Sequence, residues 1–344
     1  MRKSNWVATF IGAVIFLLAL GISAQERGAG APAKRESLKL GWVKFITTEW
    51  GIFVAPEKGF YEREGLDVQY VTFTRFEDMN AALTSGQVDV ISGAYTTPIF
   101  ARVERVPMKL IMAGHNTRDG YNNWYATLPN SKINSVKDLE GKTVQMFLKG
   151  SFAWTIATYH MTRNGVDLNK VNLIGLPFPE SYAALKTGRA DVATFIEPFF
   201  SLANKASREE FGAPLKVLWT FEEAMGMDDI VLATPGIVME ETIKKKPEAL
   251  RRYVHAIIKA QQWGWKEENW DEVKRLIVKW TGMPAGTAQI MMLAPGSLNG
   301  RFPVDPYTGV GQLQRTQEML KATGALKIDR FFSDNELFDK QFLP

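Results

Sequence analysis

The stretch Ala81–Val90 returns without gaps at Ala183–Val192, and six of the ten positions are identical. In both copies the pattern reads as the end of a helix, a glycine stop (Gly86, Gly188) and the start of a strand. A proline that opens a further helix follows each copy, Pro98 in the first and Pro198 in the second. A chain that repeats one supersecondary unit in this order is expected to fold as two similar lobes.

The segments around the repeat extend the same grammar. Leu38 to Val43 reads as a strand and Trp50 to Glu64 as a helix stopped by Gly65. Val68 to Phe73 is a second strand, and Thr74 with Glu77 has the spacing of a capping box for a helix through Thr84. Val88 to Ile91 and Lys109 to Met112 follow as strands. In the second half, Ser135 to Lys142 forms a short helix and turn before strand Thr143 to Phe147. A helix from Ser151 to Asn164 and a strand from Val171 to Leu176 come next. Helix Glu180 to Thr187 and strands Asp191 to Phe195 and Leu215 to Trp219 complete that half. Alternation of this kind predicts an α/β fold whose mostly parallel sheets carry helices on both faces.

The N-terminus adds a compartment. Arg2 and Lys3 precede an uncharged stretch from Ser4 to Gln25, with small residues from Gly21 to Ala24. This is the pattern of a secretory signal over residues 1–24, with cleavage expected after Ala24 and a flexible leader over 25–37. An uncleaved anchor is the competing reading, because the uncharged run approaches a membrane span in length. The chain of 344 residues contains no cysteine, which excludes disulfide staples, thiol nucleophiles, cysteine metal sites and a bacterial lipoprotein anchored through a cysteine after the signal. The net charge of +4 and the mixing of basic with acidic residues give no stripe for a nucleic-acid backbone.

Four segments in order resemble a known family: Glu57–Val68, Ala82–Val90, Asp138–Val144 and Glu197–Pro198. They are similar to the substrate-binding components of ABC transporters in the sulfonate, taurine and nitrate group, which also contains thiamine-precursor binders. The resemblance implies a type II periplasmic binding protein fold, two doubly wound lobes joined by a two-segment hinge. It places lobe one at 38–118, lobe two at 119–234, and the completion of lobe one with C-terminal helices at 235–344. Crossovers are then expected near Trp124–Leu128 and Ile230–Ala233. Among the C-terminal helices, Ala249, Leu250, Tyr253, Val254 and Ile257 make one apolar face, and Trp263, Trp265, Trp270 and Trp280 read as packing residues.

In such sheets ligands sit beyond the carboxyl ends of the strands, where helix N-termini offer backbone N–H groups to an oxyanion. Four exit turns are candidates: Lys44–Trp50, Gly93–Thr97, Lys149–Trp154 and Ile196–Glu197. The expected ligand contacts are Lys44, Thr48, Trp50, Arg75, Tyr95, Thr96, Thr97, His115, Lys149, Ser151, Phe152 and Glu197. Each has a plainer reading: Thr97 and Ser151 as helix caps, the cations as solvated side chains, and the aromatics as core. The aromatic content of the turns favours an organic sulfonate or aromatic carboxylate over bare nitrate. A neutral or cationic heteroaromatic ligand is the alternative.

The function expected is capture of a small molecule in the periplasm by a monomer and delivery to an ABC permease and its ATPase, without cofactor or metal. A tethered sensor and a biosynthetic enzyme of the same fold are the competitors. Pyrimidine synthases of this fold carry a cysteine-rich motif that this chain lacks, and none of the common catalytic or nucleotide motifs is present. Of the three histidines, His160 and His255 fall within predicted helices.

Overall fold

The computed structural model describes residues 35–44, 49–116, 123–147, 152–226, 231–286 and 311–344. The expected signal segment and most of the leader lie outside the described residues. Strand β1 (Glu36–Val43) is followed by helices α1 (Gly51–Glu57) and α2 (Phe60–Arg63), β2 (Leu66–Phe73), α3 (Phe76–Thr84), β3 (Val90–Ala94) and α4 (Thr97–Val103). Short strands β4 (Met108–Leu110) and β5 (His115–Asn116) end this run. The next run holds β6 (Trp124–Thr127), β7 (Thr143–Met146), α5 (Phe152–Arg163), β8 (Asn172–Gly175), α6 (Ser181–Lys186), β9 (Val192–Phe195), α7 (Phe199–Phe211), β10 (Lys216–Thr220) and α8 (Phe221–Met225). Strand β11 (Val231–Met239) then leads to α9 (Glu240–Lys245), α10 (Pro247–Gly264), α11 (Trp270–Thr281), α12 (Gln312–Ala322) and α13 (Asp334–Leu337).

Two sheets result, and they share one wiring. The first runs β2-β1-β3-β11-β4, with β5 paired to β11; the second runs β8-β7-β9-β6-β10. In each, three parallel strands are extended by an antiparallel strand delivered from elsewhere in the chain: β11 beside β3, and β6 beside β9. The chain therefore leaves the first sheet after β5, builds the second, and returns as β11. Two segments cross between the sheets, as a two-segment hinge requires.

The recurring decapeptide makes the same joint twice. Asp89 donates its N–H to the Lys39 carbonyl and accepts the Lys39 N–H on its carboxylate, both at 2.8 Å. Asp191 repeats the pair on Thr143, again with both bonds at 2.8 Å. In each copy the carboxylate locks the start of a parallel strand to its neighbour. Gly86 and Gly188 stop the preceding helices at φ +75° and +69°, a conformation that costs glycine little.

Glu36–Pro344 forms one compact unit. Its main core runs without interruption through residues of both sheets, from Leu38 and Val90 to Val144 and Val192. Helix α10 buries Ala249, Leu250, Tyr253, Val254 and Ile257, the face read from the sequence. Trp263, Trp265, Trp270 and Trp280 all pack against the core. Helix α12, from the end of the chain, lies against α5 of the second sheet. No helix among the described residues is long and apolar enough to cross a membrane.

Three expectations need correction. The helix expected over Trp50–Glu64 is broken in two, because Gly59 takes φ +69° and restarts the chain as α2. The capping box of Thr74 and Glu77 does not form: Arg75 holds the cap position, and Glu77 faces it as an ion partner at 3.5 Å. Both crossings lie earlier than expected. Trp124–Thr127 is already a strand of the second sheet, and β11 pairs with Asn116 of the first sheet from Val231 onward.

Candidate functional site

The exit of β1 carries the least expected group. Lys44 follows the strand and is exposed to solvent, and Thr48 lies outside the described residues. Glu49, one position before the helix turn at Trp50, is only 1% exposed. Neither of its carboxyl oxygens has a hydrogen-bond partner among the described residues. Burial alone pushes its carboxyl well above the usual range. Trp50 follows it in the chain. Its ring lies over Gly264 of α10, where an added Cβ would come within 2.2 Å of it, and meets Trp265 edge-on at 5.8 Å. The ring is therefore part of the lobe's packing, and the glycine makes room for it.

At the exit of β3, Tyr95 and Thr96 are both buried, at 1% and 3% exposure, and Thr97 is half-buried at the start of α4. Pro98 stands in the first turn, and no side chain caps this helix, so Thr97 does not take the cap role. Arg75, beyond β2, is exposed and paired with Glu77 at the surface. The backbone of His115 pairs with Ala233 of β11 at one crossing; its side chain is outside the described set.

In the second sheet Lys149 and Ser151 fall outside the described residues, as does the side chain of Phe152, which opens α5. Glu197 is placed firmly. It follows β9 through Ile196, sits before a cis Pro198, and is 2% exposed. Its carboxylate accepts the Ser201 hydroxyl at 2.7 Å and the Ser201 N–H at 3.2 Å. Burial raises its carboxyl to about 7, against the lowering effect of those Ser201 bonds.

The aromatics of the exits are mainly core. Phe195 is fully buried, and Trp124 stacks on Phe200 with centroids 4.3 Å apart. His160 lies within α5 against Trp219 at 5.4 Å, inside the second lobe, and burial lowers its pKa. Among the described residues no cluster of His, Asp or Glu fits a metal ion. The buried carboxyls of the described exit turns are thus two, one for each sheet, while the described basic candidates Lys44 and Arg75 are exposed. Glu49 was the group the sequence reading passed over, although it is the lone acid among the hydroxyl and apolar residues of its turn.

Residues 47–267 match the model of the family described as NMT1/THI5 like. The chain belongs to the NMT1/THI5-like family. Over 256 residues it is 24% identical to YtlA of Bacillus subtilis, named as a binding protein, covering 74% of this chain and 72% of that one. A shorter stretch of 93 residues is 31% identical to the 4-amino-5-hydroxymethyl-2-methylpyrimidine phosphate synthase of Schizosaccharomyces pombe, covering 27% and 26% of the two chains. Among solved structures, the periplasmic aliphatic sulphonate binding protein SsuA of Escherichia coli superposes with a TM-score of 0.66 at 19% identity, over 85% of this chain and 94% of that one. This NMT1/THI5-like chain therefore has the periplasmic binding protein fold, and its exit turns occupy the ends of the strands where open α/β sheets take ligands.

Proposed function

We propose that this protein is the exported solute-binding component of an ABC uptake transporter, which closes its two lobes on a small organic molecule and delivers it to a membrane permease. The observation that carries the reading is the burial of polar side chains at strand exits of both sheets, with Glu49 and Thr96 on one and Glu197 on the other. Pockets for small molecules set a few polar groups in apolar walls, and a ligand held between lobes meets those of both sheets at once. The names of YtlA and SsuA, both binding proteins, support the binding step. The two-segment connection supports a hinge, in which ligand favours the closed state because only that state brings contacts from both sides.

Periplasmic location rests on the basic, apolar and small-residue order of the first 24 residues. The organic anion expected from the sequence finds no buried cation at the described exits. A neutral or cationic heteroaromatic ligand is the reading that the two buried carboxyls favour. Binding is preferred to catalysis because YtlA and SsuA, which the chain resembles over most of its length, are both named as binding proteins.

The test is a thermal-shift screen of the purified exported protein with sulfonates, aromatic carboxylates, nitrate and nitrogen heterocycles, followed by small-angle scattering with each hit. A selective rise in melting temperature with compaction is expected. Saturating ligand that leaves the dimensions unchanged, or is chemically turned over, defeats the reading.

A further inference from the structure

Glu49 has a carboxyl that the rest of the fold does not use. It is 1% exposed, with both oxygens unpartnered among the described residues, and it stands two positions before α1, the helix that follows β1. The pKa of Tyr253 in helix α10 is raised by burial, by Tyr61 and, least, by the Glu49 charge. That tyrosine's proton is spent elsewhere: its hydroxyl donates to the Pro235 carbonyl at 2.7 Å. The other two phenols of the cluster are also committed, since Tyr70 donates to the Ile52 carbonyl and Tyr61 lies 3.2 Å from the Tyr70 oxygen. The N–H groups of Ile52 and Phe53 at the start of α1 turn to the backbone carbonyls of Glu49 and Trp50. These donors are thus consumed by backbone or by one another, and none of them reaches the Glu49 carboxyl.

A carboxyl buried in this way costs several kcal/mol if it ionises alone, and an apolar residue of similar size would avoid that cost. The side chain is therefore explained by a partner that arrives from outside. We propose that Glu49 is a specificity-determining ligand contact, and that it selects a small molecule carrying a planar cationic nitrogen group of the amidinium or guanidinium kind, which meets both carboxyl oxygens at once. The two-oxygen match is the strong geometry for such groups. Glu197, buried at a strand exit of the other sheet, adds a second acid and disfavours a ligand with an oxyanion at that end. The inference rests on the proposed clamp and assigns the chemistry of one end of its ligand.

Three probes share one ring and differ only in the head group: benzamidine, benzoate and benzenesulfonate. Calorimetry on the full mature protein is expected to rank benzamidine first, with at least tenfold weaker binding in Glu49→Gln. The unliganded melting temperature of that variant is expected to be unchanged or higher, because a neutral amide replaces a carboxyl that resists ionisation. Glu49→Met, apolar and of similar length, provides a second variant and should lose benzamidine equally. Tighter binding of either anion, no binding of benzamidine, or unchanged benzamidine affinity in both variants overturns the inference. So does failure of both variants to fold, which would make Glu49 a structural residue. Scattering separates this from the parent reading: an anion that compacts the protein leaves the clamp standing and removes the head-group rule, while benzamidine bound through Glu49 without compaction does the reverse.

Discussion

The two sheets share a strand order and an aspartate lock, yet they fill equivalent interior places in opposite ways. Gly41 of β1 lies opposite Ile91, one residue after the repeat ends, and Gln145 of β7 lies opposite Ala193 at the matching place. At Gly41 the backbone is pressed by apolar atoms of Ile91, Phe73 and Met79, which an added Cβ would meet at 3.1 to 3.3 Å. At Gln145 a fully buried amide joins three segments. It accepts the Thr194 N–H at 2.9 Å and the Ser181 hydroxyl at 3.1 Å, and donates to the Leu176 carbonyl at 2.8 Å. The same wiring thus tolerates a dry interior or a polar one, provided every group in the polar version is satisfied.

The sharpest way to break that comparison is Gln145→Leu. It strands the Thr194 N–H and the Leu176 carbonyl in the second lobe, and a loss of about 4 kcal/mol is expected from urea unfolding. Gly41→Ala in the first lobe asks only for small shifts of three apolar side chains and should cost about 1 to 2 kcal/mol. A Gln145→Leu cost no larger than the glycine's would show that the network contributes little.

The exits differ in the same sense, and pH reads the difference. The Glu197 carboxyl is raised from its ordinary 4.5 to about 7 by burial. The folded state therefore binds the proton more tightly than the unfolded state. This contribution is complete below pH 4.5 and is lost as pH rises through about 7. At about 1.4 kcal/mol for each factor of ten in proton affinity, it amounts to about 3 kcal/mol. Glu49 acts in the same direction. Unliganded Glu197→Gln should lose only its own share of the fall in stability between pH 4.5 and 8, about 3 kcal/mol, and keep the share that Glu49 supplies, measured by denaturation at each pH. A variant with the wild-type slope would locate that dependence outside the second lobe's exit.

Asp89 and Asp191 sharpen the comparison at smaller scale. Both lock a neighbouring strand, but Asp89 also holds Lys246 at 2.8 Å. Asp89→Ala is expected to cost about 2 kcal/mol and Asp191→Ala about 1 kcal/mol, compared by thermal unfolding at matched pH. The reverse order would mean that the ion pair adds nothing to the first lobe.

Much of this was legible in the residues. The decapeptide, read as helix, glycine and strand, fixes three consecutive elements in each half, and the structure explains its invariant aspartate by a bond the sequence cannot display. Strand positions followed from short apolar runs, which depend on local pattern alone. The crossings were misplaced because a strand's allegiance to one sheet is decided by pairing across distance: Val231 joins Asn116, more than a hundred residues earlier. Trp50 looked like a pocket wall for a similar reason. Its burial depends on the absence of a side chain at Gly264, which no feature of the Trp50 turn reveals. Glu49 was overlooked because an acid in a turn is ordinarily solvated, and its burial is a matter of tertiary packing that the turn's own residues do not display.

The smallest expected effect asks whether the two copies of the joint still behave alike. Gly86 and Gly188 have φ of +75° and +69°, and an added Cβ at either would meet nothing within 4 Å. Replacement by alanine therefore costs only the strain of a left-handed backbone, about 1 kcal/mol at each position. Because the glycines lie in separate lobes without shared partners, the double variant should lose about 2 kcal/mol in urea unfolding. Equal single costs with an additive pair mean that each lobe uses the joint in the same way and independently. A large cost at one glycine with none at the other would mean that one lobe has relaxed the joint through contacts its counterpart lacks, and the helix–glycine–strand unit would then be a shared pattern with two different energetic roles.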